Sequence, residues 1–152
     1  MSDFVLREAR TSDLEAIVRL YAADTLGGHD DAWTDETAPA YAAAFARIVT
    51  SEDHRVFVAE AGGRIVGTFQ VSVIPCLVDR GATRVRIESV HVDPARRSQG
   101  IGTSLVAHAE AWAREHGAAF VELASNASRV DAHRFYGRLG YGQTHLGFKK
   151  VL

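Results

Sequence analysis

Three short stretches of this 152-residue chain hold residues able to do chemistry. "RRSQGIG", Arg96 to Gly102, sets two glycines at the mouth of an amphipathic run, "IGTSLVAHAEAWAREHG". Glycines there let something approach the main chain closely, and a helix entrance offers unsatisfied N–H groups and partial positive charge. The implied partner is an anion, and the strand-like "RIESVHV" with its tight "DPARRSQ" link just upstream suits a pyrophosphate. That strand carries Glu88 in an otherwise apolar pattern, where a carboxylate is costly unless paired or used. A period of two puts Glu88, Val90 and Val92 on one face, with His91 facing away. About thirty residues on, "AHRFYGRLGY" carries Tyr136, a phenol that stays protonated at neutral pH and can hand on a proton.

Two common anion loops do not fit. A Walker-type loop needs Lys followed by Ser or Thr after its glycines, and no such pair is present. A dinucleotide-binding turn wants a third glycine where this chain has Leu105. Glu122 stands at the distance of its acidic partner, but hairpins precede the loop. The two stretches together resemble the GNAT superfamily of coenzyme A-dependent N-acyltransferases. Arg97, Gly100 and Gly102 match that family's Arg/Gln-x-x-Gly-x-Gly/Ala loop, and Ala132 to Tyr141 is similar to its second signature, in the same order and spacing.

The resemblance implies acetyl-CoA as co-substrate and a sheet in which the strand before the loop splays from its neighbour. Val90, His91 and Val92 would then pair with the pantetheine arm. The amides of Ser98, Gln99, Gly100, Ile101, Gly102 and Thr103 would cradle the phosphates, with Arg97 adding charge. Glu88 is the candidate base, directly or through water, or else an ion-pair partner of Arg84 or Arg86. Tyr136 is the candidate acid for the leaving thiolate, and the Val90 N–H faces the developing oxyanion. Many members carry an asparagine upstream of the tyrosine; the count falls here on Arg129, with Asn126 three residues earlier, and either is a cofactor contact. Family acceptor sites use the first two helices and their loop. Here that loop holds Asp24, Asp30, Asp31, Asp35 and Glu36, with His29 and Trp33 among them, which would attract a cationic amine or simply be solvated. One histidine beside two aspartates is too unspecific for a metal, and none is expected.

The expected activity is transfer of an acetyl group to the primary amine of a small molecule within a ternary complex. The alternatives are a protein or peptide N-terminal acetyltransferase, or a catalytically idle acyl-CoA sensor.

The elements that must position these groups follow from periodicity. "DFVLREA" reads as a strand, "TSDLEAIVRLYAAD" as a helix with a Ser12–Glu15 capping box, and "APAYAAAFARIVT" as a second helix. "RVFVAEA", Gly62-Gly63 and "RIVGTFQVSVI" form a hairpin, and "TRVRIESVHV" a further strand. A helix after the glycines, the strand "AAFVELAS", a helix over "VDAHRFYGRL" and one or two closing strands in "YGQTHLGFKKVL" complete the order. The class is mixed α/β: a GNAT-type, mostly antiparallel, splayed sheet of six to seven strands with about four helices, in one domain over 1–152. A net charge of −2 argues against nucleic-acid binding. The single Cys76 fits a reducing compartment, and no apolar run reaches membrane-spanning length. A cytoplasmic enzyme is expected, with a homodimer open through pairing of "GQTHLGFKKVL" across a two-fold axis.

Overall fold

The computed structural model describes residues 3–27 and 29–152. Five strands form one sheet in the order β1-β2-β3-β4-β5: β1 Val5–Glu8, β2 His54–Ala61, β3 Arg64–Pro75, β4 Thr83–Val92 and β5 Phe120–Leu123. All neighbours are antiparallel except β4 and β5, which run parallel. The β2–β3 turn closes on Gly62 and Gly63, both at positive φ, the conformation that a two-residue hairpin loop demands. Five helices complete the chain: α1 Leu14–Ala22, α2 Ala38–Val49, the single turn α3 Val78–Gly81, α4 Ile101–Glu115 and α5 Val130–Arg138.

Alternation along β2 divides the core between the two faces. Phe57, Ala59 and Ala61 join Phe69, Val71, Val85 and Ile87 under Ile101, Leu105, Val106, Ala109 and Trp112 of α4. Val56 and Val58 turn the other way, under Leu14 and Ile17 of α1 and Phe45 of α2. Helix α5 lies on the α4 side, where Phe135, Tyr136 and Leu139 pack against the larger cluster.

Three expectations are corrected. The described residues form five strands, not six or seven, because the segment 142–152 forms none; an alternating stretch becomes a strand only against an edge. Helix α1 is not started by Ser12 and Glu15. Asp13 instead accepts from the Arg10 N–H at 2.7 Å, while Glu15 bonds Arg19. Finally, the period of two breaks within β4. Gln70 pairs with Glu88 but Thr68 pairs with His91, so Ser89 and Val90 together oppose Phe69 in a bulge. Ser89 takes φ 53° there. Val90 and Val92 therefore turn toward α4 and join the core, while Glu88 and His91 share the face of α1.

Asp13 also anchors the first strand. It is 7% exposed and takes both Arg7 guanidinium nitrogens, at 2.7 and 2.9 Å, while Arg7 reaches on to Glu60 on β2. The Arg7 hydrogen bonds outweigh burial and hold the Asp13 carboxyl below the usual carboxylate range. Replacing Asp13→Asn leaves the partly buried Arg7 with Glu60 as its one described carboxylate partner. An unfolding titration should show a loss of about 3 kcal/mol, against near-neutral substitution of the exposed Glu15.

Candidate active site

The parallel β4–β5 ladder runs from Arg84–Phe120 to Ile87–Leu123 and stops. Strand β4 continues through Glu88 to Val92, still paired with β3 on its other side. Past Ile87 its β5-facing edge therefore carries free backbone groups, directly upstream of the glycine loop. The bulge sits at this parting point, where it re-aims the strand.

The loop then presents a second set of free groups. A 3-10 turn, Pro94–Arg96, is closed by the Asp93 carboxylate accepting from the Ala95 N–H. Arg96 is tied to Asp3 and Gln99, leaving exposed Arg97 as the uncommitted cation of the pair. Ser98 at φ 61° and Gly100 at φ 81° turn the chain into α4. The first backbone amide within this entrance to find a described backbone partner is that of Ser104, on the Gly100 carbonyl at 3.1 Å. The N–H groups of Ser98, Gln99, Gly100, Ile101, Gly102 and Thr103 bond no described residue. Their availability, with the left-handed glycine, fits a phosphate-bearing ligand.

The two glycines have different duties. A Cβ on Gly100 would meet nothing within 4 Å, so its requirement is conformational. A Cβ on Gly102 would lie 3.2 Å from Phe135 Cζ, so its requirement is the packing of α5.

Glu88 is half exposed, and its Oε1 accepts from Arg86 Nε at 3.0 Å. Of its two expected ion-pair partners, Arg86 is the one engaged; Arg84 lies 3.3 Å from Glu122. Tyr136 packs edge-on against Phe135 and Tyr141, at 5.1 and 6.0 Å between centroids. Its hydroxyl bonds no described residue, and burial pushes it up from the ordinary phenol value. It is a protonated donor with a free hydroxyl on the side of the sheet where β4 and β5 part.

His91 contributes more than its backbone. Its ring lies 5.0 Å from that of Tyr21 and its Nδ1 is 3.7 Å from Asp24, a carboxylate only 7% exposed. Burial lowers the His91 pKa, so the ring is neutral at neutral pH. Arg129 reaches across to the same Asp24 carboxylate from just before α5. Asp24 thus joins the loop after α1 to the far side of the β4–β5 gap, and Arg129 is spent on this latch. Burial opposes charge on Asp24, yet the Arg129 hydrogen bond and charge prevail and keep its carboxyl below the usual range. Asn126 instead organises its own loop: its side chain accepts from Ser128, and its carbonyl lies 2.9 Å from His133 Nε2.

The α1–α2 loop residues separate in role. His29 and Asp30 are exposed. Asp31 accepts from the Tyr41 hydroxyl at 2.6 Å, and Trp33 stacks on Tyr41 while packing against the α1–α2 core. The sequence reading named Asp24 among the acidic residues of this loop but missed its partners, and it missed Tyr21 and Tyr41. Their signal was faint: aromatic residues one or two turns apart on helices are ordinarily core, and Asp24 bonds a residue 105 positions away.

The titrations share one sign. A His91 pKa lowered by burial makes the unfolded chain the better proton acceptor as pH falls below about 6.5. Lowered carboxyls at Asp13 and Asp24 give stability that is present above about pH 4 and lost as pH falls through their folded values. Melting temperature should therefore decline in two steps on acidification. His91→Gln should remove the upper step and leave the lower one, as thermal scans from pH 8 to 3 would read.

Comparisons with known proteins agree with this geometry. The aminoalkylphosphonate N-acetyltransferase of Salmonella typhimurium is 50% identical over 66 residues, 43% of each chain. The chain spans less than half the length of the curated relatives it matches. Among solved structures, one described as a transcriptional regulator from Bacillus halodurans C-125 superposes with TM-score 0.94 at 36% identity, covering 98% of this chain and 99% of that one. Glucosamine-6-phosphate N-acetyltransferase from Arabidopsis thaliana shares the fold at TM-score 0.81 and 22% identity, covering 99% of both chains. The family profile described as the acetyltransferase (GNAT) family matches residues 14–141, from the start of α1 past the end of α5. A match across both signatures and the sheet between them means that this chain belongs to the GNAT acetyltransferase family.

Proposed function

We propose that the protein transfers an acetyl group from acetyl-CoA to the primary amine of a small molecule. The observation that carries this reading is the free β4 edge from Glu88 to Val92, which leads straight into the free amides of residues 98–103. One ligand long enough to lie along both would be held by main-chain groups throughout. The co-substrate supplies an activated acyl thioester; the chain's residues supply position and proton traffic. The Val90, His91 and Val92 backbone would hold the pantetheine arm, and residues 98–103 with Arg97 would hold the phosphates.

An alkylamine arrives mostly as ammonium and must lose a proton before it can attack. Glu88 stands where β4 leaves β5, half exposed, with one oxygen on Arg86. It is placed to accept that proton directly or through one water. Tyr136 holds its proton, since burial raises its pKa, and its unbonded hydroxyl can protonate a leaving sulfur. No side chain is needed for the oxyanion, which the Val90 N–H beside the bulge would receive.

The acceptor is read as small because the Asp24–Arg129 pair ties the α1–α2 loop across the gap, which would leave less room for an extended chain. Asp30 and Asp31, beside His29, would give the rim of the gap a negative character suited to a cationic amine. Trp33 supports that rim from the core side through Tyr41. A net charge of −2 lends no support to a nucleic-acid partner.

An amine panel assayed with acetyl-CoA, following free thiol, tests the activity. With the best amine, Glu88→Gln should lower kcat about 10²-fold or more and flatten the acidic limb of the pH profile. If Glu88 merely pairs with Arg86, the rate stays unchanged. Tyr136→Phe should lower kcat while leaving the KM for acetyl-CoA alone. Gly100→Ala should do the opposite, raising that KM at least tenfold, and should cost about 1 kcal/mol of stability through its left-handed backbone.

A further inference from the structure

Gly27, in the loop after α1, is a glycine for want of space. It is not among the glycines at positive φ, so no left-handed backbone requires it. A Cβ on Gly27 would lie 2.6 Å from His29 Cδ2, 2.7 Å from Arg129 Nη2 and 3.1 Å from Asp24 Oδ2. Contacts that short force something to move. All three atoms belong to side chains, so the backbone can stay where it is. A methyl group here would cost the fold little, and its effect would fall on the Asp24–Arg129 pair.

That pair is what holds the loop. Asp24 Oδ1 accepts from the Leu26 N–H at 3.2 Å, closing the turn that leads to Gly27, while Oδ2 takes Arg129. From Asp24 to Asp30 the Arg129 bond is the one described hydrogen bond that joins the loop to a distant part of the chain. Leu26 is 61% exposed and adds no anchor. The bridge also lies close to the proposed chemistry. Asp24 is 3.7 Å from Nδ1 of His91, whose backbone belongs to the free β4 edge. From the other side, the Arg129 charge acts on the Tyr136 phenol, against the larger effect of burial.

We propose that Gly27 is a specificity-determining residue: by lacking a side chain it lets Asp24 and Arg129 bridge the acceptor side of the gap, and that bridge limits the bulk of the amine that is acetylated. The inference rests on the acetyl-transfer reading above and adds the residue that sets its size limit. With a methyl group at position 27, Arg129 Nη2 must withdraw. The loop then loses its tie to the start of α5, and residues 24–30 can move off the gap to admit a larger acceptor. Lysine at position 129 relieves the crowding from the other side. It has no Nη2 to meet the methyl group, and its ammonium remains a cation for Asp24.

The test compares the wild type, Gly27→Ala and the double variant Gly27→Ala with Arg129→Lys, all as full chains with acetyl-CoA. Values of kcat/KM are measured for the best small amine of the panel and for a tetrapeptide with a free N-terminus. The wild type should favour the small amine. Gly27→Ala should shift the ratio about tenfold or more toward the tetrapeptide, with the KM for acetyl-CoA unchanged, and the double variant should shift it back. A general loss of packing would lower both rates and leave the ratio where it was, which overturns the proposal. So does a wild type that takes the tetrapeptide equally well, a shifted ratio that Arg129→Lys does not restore, or a Gly27→Ala chain that fails to fold. A wild type that acetylates no amine of the panel defeats the acetyl-transfer reading itself, before any substitution is made.

Discussion

The bulge at Ser89 and Val90 is the constraint on which the site depends. One extra residue in β4 reverses the facing of everything after it, so Val90 and Val92 seal the core under α4 while His91 turns to α1. The same irregularity falls just past the last β4–β5 pair. A regular strand would have kept Glu88 and His91 on opposite faces. It would also have favoured continuing the parallel ladder, closing the edge that a ligand needs. Ser89 takes up this geometry at positive φ without being glycine, a strain of about 1–2 kcal/mol that the pairing on both sides must outweigh.

The second constraint is electrostatic and lies across the gap from the first. Asp24 is almost fully buried, and it is kept ionised by Arg129 with His91 beside it. A lone carboxylate could not remain charged there. The latch fixes how the α1–α2 loop sits over the parting strands, and that loop in turn brings Asp31 to Tyr41. Tyr21, its ring tilted 56° against that of His91 at 5.0 Å, lies beside them. The proposed acceptor side is thus organised by contacts between segments far apart in the chain, whereas the proposed cofactor side is organised by one continuous run of backbone.

That difference explains what was legible beforehand. Gly100 and Gly102 carry their meaning locally, as does the hairpin at Gly62 and Gly63, so the loop, the turn and the order of elements could be read from residue types. The bulge could not: it sits at a serine and a valine, and only the register of Thr68 and Gln70 against β4 reveals it. The pairing of Asp24 with Arg129 was equally hidden, since nothing at either position names the other. Arg129 looked like a cofactor contact because its charge was visible and its partner was not. The alternation in 142–152 suggested closing strands that the described residues do not form, because whether such a stretch pairs depends on an available edge, which one chain's letters do not show.

The contact between Gly102 and Phe135 links the two halves of the site mechanically. Phe135 Cζ lies 3.2 Å from where a methyl group on residue 102 would stand, and Tyr136 is its immediate neighbour in sequence. The separation of α4 from α5, and with it the depth at which the phenol stands, is set by a missing side chain in the phosphate loop. Alanine in place of this glycine would act as a shim, wedging the second helix outward by a few tenths of an ångström. Members of such a fold can therefore adjust the spacing of these two helices from the glycine loop, moving the phenol of Tyr136 without replacing it.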